Sequence, residues 1–162
     1  MTRQLQWRDD WLLGLECLDA DHRRLVELLN LLFSAPHQPA ETARDDGGSY
    51  GPAPAPRVDV TECILQRLDR VTNHLRHHFA REEELLRSIN FPNYDEHRSE
   101  HALQLAEFAE LRRDIERRRA RELDAETIGG IKRWFFNHVI AEDHHFAAYY
   151  YRQVLESEDD EN

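Results

Sequence analysis

The chain has 162 residues, 33% of them charged, and a formal net charge of −11. That length can bury one real core, and the acidic balance excludes nucleic acid or an anionic membrane surface as a partner. No apolar run reaches the roughly 20 residues of a membrane span, and residues 1–7 lack the build of a signal peptide. Cys17 and Cys63 are too few for a disulfide framework, so a reducing, cytoplasmic setting is expected. Ten histidines are the unusual count.

In chain order, residues 6–16 carry Trp7, Trp11 and Gly14 without a clear period, which reads as an extended arm lying on the domain. From Leu15 the positions 15, 18, 22, 25, 29 and 32 step in threes and fours, the seam of a core-facing helix. Leucine fills each place except His22. Asp19 or the residues just before it supply the polar start, and Pro36 ends the helix. Residues 37–57 hold Pro39, Gly47, Gly48, Gly51, Pro52, Pro54 and Pro56 with almost no large apolar side chains. Such a stretch cannot offset its ordering entropy and reads as a long insert loop.

A capping box of Asp59 and Glu62 opens a second helix over 60–89. Its apolar positions are 64, 68, 71, 75, 85 and 89, and the same count places His78 and Glu82 inside. Asn90, Phe91, Pro92 and Asn93 form a turn. The third helix starts near Tyr94 and follows 94, 97, 101, 108, 111 and 115, which buries His97 and His101. Residues 112–122, dense in arginine and glutamate, form a solvated face.

Asp124 caps the fourth helix, and Gly129 with Gly130 suggests a close approach between helices. Its seam runs through Ile131, Phe135 and His138 and should next reach Glu142. The apolar pattern instead resumes one residue late, at Phe146 and Tyr150, and counts back to Asp143. On a straight helix His138 and Asp143 lie about 140° apart. They meet only if the helix ends, bends or carries a one-residue bulge within 139–143. Residues 156–162 read as a frayed acidic tail. The whole chain, 1–162, is expected to be a single all-α domain, an up-down-up-down four-helix bundle with an N-terminal arm and a long first loop.

Seven ionisable residues therefore fall on buried seams: His22, His78, Glu82, His97, His101, His138 and Asp143. Burying each without a partner costs several kcal/mol, and cations remove that cost. Seven ligands exceed the four of a zinc site and are too rich in nitrogen for calcium or magnesium. They suit two six-coordinate transition ions, iron above manganese. With both carboxylates and an oxo or hydroxo group bridging, about one of twelve coordination positions stays open. An open ferrous pair in an apolar core is a place for dioxygen to bind.

The motifs Leu18-Asp19-x-x-His22, His78-Phe79-x-x-Glu82-Glu83, His97-x-x-x-His101 and Trp134-x-x-x-His138-Val139-x-x-x-Asp143 resemble those of the hemerythrin family, and of bacterial hemerythrin-like proteins in particular. The resemblance covers nearly the whole chain outside the insert. It implies that His97, His101 and His138 hold one iron, that His22 and His78 hold the other, and that Glu82 and Asp143 bridge. It also implies reversible dioxygen binding by a non-catalytic carrier, store or delivery protein. The same open position would serve an oxygen or redox sensor that a partner reads, or a weak di-iron peroxidase or nitric-oxide reductase. A protein recipient of the gas stays unidentified.

Two positions depart from the family pattern. Phe135 stands where leucine usually packs over the gas pocket, and His74 stands where tyrosine is frequent, one turn before His78. His37, His77, His144 and His145 read as surface or loop residues. Cys17 and Cys63 read as packing, and Trp7, Trp11 and Trp134 as core anchors.

Overall fold

The computed structural model describes residues 4–34 and 59–159. Helix α1 spans Glu16–Phe33, α2 Val60–Ser88 and α3 Tyr94–Arg118. A fourth stretch is composite: α4 over Ala125–Phe135, a π-helical segment over Phe136–Glu142, and α5 over Asp143–Asp159. No strand occurs among the described residues. Pro36, the 37–57 insert with His37, and residues 160–162 lie outside them. Residues 156–159 of the acidic tail continue α5, where fraying was expected.

Contacts at the two poles fix the helix directions. Arg67, early in α2, donates to the carbonyls of Leu31 and Ser34 at the end of α1, at 2.9 and 2.7 Å. Thr61 donates to the carbonyl of Ala120, just past α3, at 3.0 Å. At the opposite pole Tyr149 of α5 reaches the carbonyl of Asn90 between α2 and α3, at 3.5 Å. Neighbouring helices thus run antiparallel in an up-down-up-down arrangement, which the short connections after α2 and after α3 favour.

The seams explain the packing. Leu25 and Leu29 of α1 meet Leu68, Val71 and Leu75 of α2 in a core that Phe108, Ile115 and Phe135 complete. Full burial contributes about 2 kcal/mol per such side chain. A second, smaller apolar cluster gathers Leu13, Leu18, Leu86, Phe91 and Phe146. In α2 the buried face moves over after Glu82: Leu86 is enclosed while Leu85 and Ile89 are half-buried. A 3.6-residue helix drifts past a strict four-and-three count in that distance.

Local starts hold with adjustments. Asp59 accepts from the backbone N–H groups of Thr61 and Glu62, and Asp124 from that of Thr127. Glu62 does not complete a reciprocal box; it accepts from Gln66 instead. Helix α1 begins after Leu15 with no side-chain cap. Asp19 sits one turn inside it and accepts from Leu13 and Gly14, at 2.7 and 3.0 Å, so it anchors the incoming chain. Gly14 has φ +79°, and a Cβ there would lie 2.5 Å from the Tyr151 hydroxyl oxygen, so the position requires glycine.

The arm lies on the bundle as expected, with one short turn at Asp9–Trp11. The amide of Asn30 accepts from Leu5 N–H at 2.7 Å and donates to Leu5 C=O at 2.8 Å. Trp11 is buried edge-on against Phe135 and Phe136. No close helix approach occurs at Gly129 and Gly130: a Cβ at either would meet only the Arg133 side chain. Cys17 is exposed and Cys63 only partly covered, so Cys17 has no packing role.

Candidate metal centre

The seven predicted residues converge between the two apolar clusters. His22 falls between Leu18 and Leu25 on α1, and His78 with Glu82 between Leu75 and Leu86 on α2. His97 and His101 come from α3, His138 from the π segment, and Asp143 from the first residue of α5. All seven are buried, and Glu82, Asp143 and His22 are wholly shut off from solvent.

Every histidine turns Nε2 inward. His22 Nε2 stands 3.2 Å from that of His78 and 3.1 Å from Asp143 Oδ2. His101 Nε2 stands 3.0 Å from that of His138. Glu82 reaches His97 at 3.4 Å, His101 at 3.3 Å and His78 at 3.5 Å. Asp143 also faces His97 and His138, at 3.9 and 3.8 Å. Two groups could each hold a cation, Glu82 with His97, His101 and His138, and His22 with His78 and Asp143. Each carboxylate faces histidines of both groups.

The π segment explains how Asp143 enters. A regular α-helix would turn it well away from His138. The wider turn over Phe136–Glu142 brings both side chains to one face. The phase slip in the apolar pattern signalled this break, and the observed segment starts three residues earlier than the expected window.

Without a cation the charges do not balance. Burial, with His78 nearby, pushes His22 down to about 3, and burial likewise takes His138 to about 3. Burial also opposes charge on His97, yet its contact with Glu82 outweighs that and raises it. Burial and the neighbouring Glu82 push Asp143 well above the carboxylate range. Glu82 stays low despite burial, because His101 and His97 face it. Both oxygens of Glu82 and of Asp143, and Nε2 of His97, are buried without a hydrogen-bond partner. Neutral imidazoles and two carboxylates left open in this way are a donor set for transition-metal ions.

Three carboxylates outside the cluster face the outer Nδ1 atoms. Asp21 lies 3.4 Å from His78, Glu83 3.0 Å from His101, and Glu100 3.6 Å from His138. Arg81 holds Asp21 through two nitrogens. Burial would raise Asp21, but His78 and Arg81 bring it down to about 2. His74 lies one step further out, its Nε2 2.8 Å from the Asp21 carbonyl. Phe79 stacks on His101 at 3.8 Å, and Trp134 stacks on His138. Sequence reading missed Asp21, Glu83 and Glu100. Their one signal is that each adjoins a predicted ligand in the chain. His77 and His145 are exposed as expected, whereas His144 is half-buried with its Nδ1 enclosed.

An antiparallel four-helix bundle with a carboxylate-and-imidazole cluster at its centre defines a class of metal-binding helical proteins. The profile of the family described as "Hemerythrin HHE cation binding domain" matches residues 13–150, and the chain belongs to that family. It is 29% identical over 143 residues to "Bacteriohemerythrin" of Stenotrophomonas maltophilia (strain R551-3), covering 88% of this chain and 79% of that protein. It is 27% identical over 139 residues to "Bacteriohemerythrin" of Pseudomonas paraeruginosa, covering 86% and 76%. Two crystal structures of hemerythrin, with one leucine changed to tyrosine or to alanine, superpose with TM-scores of 0.68 and 0.65. Both are 18% identical; they cover 91% and 89% of this chain and 97% and 95% of theirs. They bear on the fold alone. No described helix is long and apolar enough to cross a membrane.

Proposed function

We propose that the seven clustered side chains hold two iron ions and that the protein binds dioxygen reversibly, as a carrier, store or delivery module. The observation that carries this reading is the set of unpartnered buried oxygens on Glu82 and Asp143, facing inward-turned histidine nitrogens. His97, His101 and His138 would hold one iron and His22 with His78 the other, with Glu82 and Asp143 bridging. When bound, the iron pair supplies two electrons and one open position for a diatomic gas.

The chain's own residues set the conditions for that chemistry. Burial keeps His22 and His138 neutral, the form in which imidazole can ligate. Glu83 accepts from the outer Nδ1–H of His101, and Asp21 and Glu100 place negative charge 3.4 and 3.6 Å from the Nδ1 atoms of His78 and His138, which favours the tautomer whose Nε2 lone pair points inward. Phe79, Phe146 and the leucine seams exclude bulk water from the cluster.

The test is the visible spectrum of the anaerobically reduced, iron-loaded protein after air is admitted. A charge-transfer band that appears in air and vanishes under argon, over repeated cycles, is expected. Irreversible oxidation with consumption of peroxide would overturn the carrier reading. His78→Ala should lower iron content towards one or none per chain; unchanged stoichiometry would show the ligand set to be wrong.

A further inference from the structure

His138 of the cluster lines a groove of about 330 Å³ between α3 and the π segment. Glu100, Glu107 and Glu142 line it, Leu103 stands at its rim, and Trp134 and His138 form its floor. No lysine or arginine is among its lining residues. Leu103 is 62% exposed, the most exposed large apolar side chain among the described residues. The groove continues along α3 and α4 into a second hollow lined by Phe108, Leu111 and Ile131, and the two share Trp134.

An aromatic pair leads inward from this face. The half-buried Trp134 ring lies nearly parallel to His138, at 15° with centroids 6.1 Å apart. His138 Nε2 in turn touches that of His101 inside the cluster. A small apolar contact ringed by one sign of charge, above a conjugated ring that abuts a redox centre, suits a brief encounter with a protein of opposite charge.

We propose that this groove docks a basic one-electron metalloprotein, and that electrons pass between its metal and the iron pair through Trp134 and His138. The proposal rests on the reading of the cluster as an iron pair. Each encounter moves one electron: the partner's metal is oxidised by one unit and one iron(III) becomes iron(II). Two encounters restore an oxidised pair to the ferrous state that binds the gas. No bond forms or breaks, and the same path runs in reverse toward an oxidised acceptor.

Cytochrome c, a basic one-electron haem protein, serves as the probe. In NMR titration of the metal-free protein, ferricytochrome c should perturb residues around Leu103, Trp134 and Glu142, with affinity falling about tenfold from low to physiological salt. The double variant Glu107→Gln/Glu142→Gln should weaken that binding. Under argon, the reduced iron-loaded protein should reduce ferricytochrome c several-fold more slowly in this variant and in Trp134→Leu, while Trp134→Phe retains the rate. Iron content and circular dichroism establish that each variant is folded and loaded. Perturbation of a different face, or wild-type rates in both the charge variant and Trp134→Leu, overturns the proposal. The docking arm needs no iron, and a reversible oxygen band with no docking would sink this inference while leaving the function intact.

Discussion

Asp21 shows what one residue outside the cluster controls. Its carboxylate meets His78 Nδ1 on one side and Arg81 on the other, and its carbonyl meets His74. Asp21→Asn should weaken the metal bound on the His78 side by roughly 10- to 100-fold. Competition against a chromophoric chelator would read this, and Asp21→Glu should restore part of the affinity. The acid response follows from the lowered value of about 2. A depressed carboxylate contributes stability above its unfolded value near 3.8 and loses it as pH falls through about 2. The metal-free wild type should therefore exceed Asp21→Asn by about 1 kcal/mol near neutrality, the pair being partly open to solvent and screened. Melting curves should converge as pH drops below about 4 and coincide only about one pH unit below 2. A gap that persists undiminished down to about pH 1 would assign the effect to packing.

The residues that were legible are those whose place on a seam conflicts with their polarity. His22, His78, Glu82, His97 and His101 each occupy a position the apolar count reserves for the core. Asp21, Glu83 and Glu100 sit one residue off a seam, where a carboxylate is ordinary. Their role depends on how far a side chain reaches across to the next helix, which no single-helix count contains. Aspartate favours a helix start, yet Asp19 acts instead on the chain that precedes the helix.

At the scale of elements, the π segment is one residue added to a regular helix. His138 and Asp143 are five apart and share a face only because the turn is wide. Deleting Ala141, which is exposed, leaves them four apart, one ordinary α-turn with the same facing. The deletion variant should keep two metals per chain and melt no lower than wild type. Loss of both metals would show that the wide turn does more than set phase. The one-residue slip between Phe135 and Phe146 made this break legible, but its start at Phe136 was not, because a slip in pattern fixes only where phase has changed. Gly129 and Gly130 misled for a related reason. Small residues permit a close approach, and only the partner helix decides whether one occurs.

Taken whole, the molecule buries seven ionisable groups in the middle of its core, so the proposed metal binding is linked to folding stability. Metal held at about a hundred times its dissociation constant adds about 2.7 kcal/mol, and about 2–4 °C of melting temperature accompanies each kcal/mol in a domain of this size. Chelation should lower the melting point by on the order of 5–10 °C, as calorimetry would show. An unchanged melting point would mean that the cluster is satisfied without cations. The bundle itself was legible from seams and turns, since helices this amphipathic, joined by short connections after α2 and after α3, leave few other packings. The 37–57 insert, which carries neither seam nor turn signal, lies outside the described residues.

The outer carboxylates form a directed relay around the bundle. Asp21 on α1 supports His78 on α2, Glu83 on α2 supports His101 on α3, and Glu100 on α3 supports His138 on the π segment. Helices α2 and α3 thus each receive a brace and give one to the next, α1 only gives, and the fourth stretch only receives. Selection acting on such an interlock would register as pairwise linkage, with positions 21 and 78, 83 and 101, and 100 and 138 changing together across diverging lineages. A chimaera that imports α2 or α3 from a distant relative would mismatch two braces at once, one given and one received, whereas one that imports α1 would mismatch one.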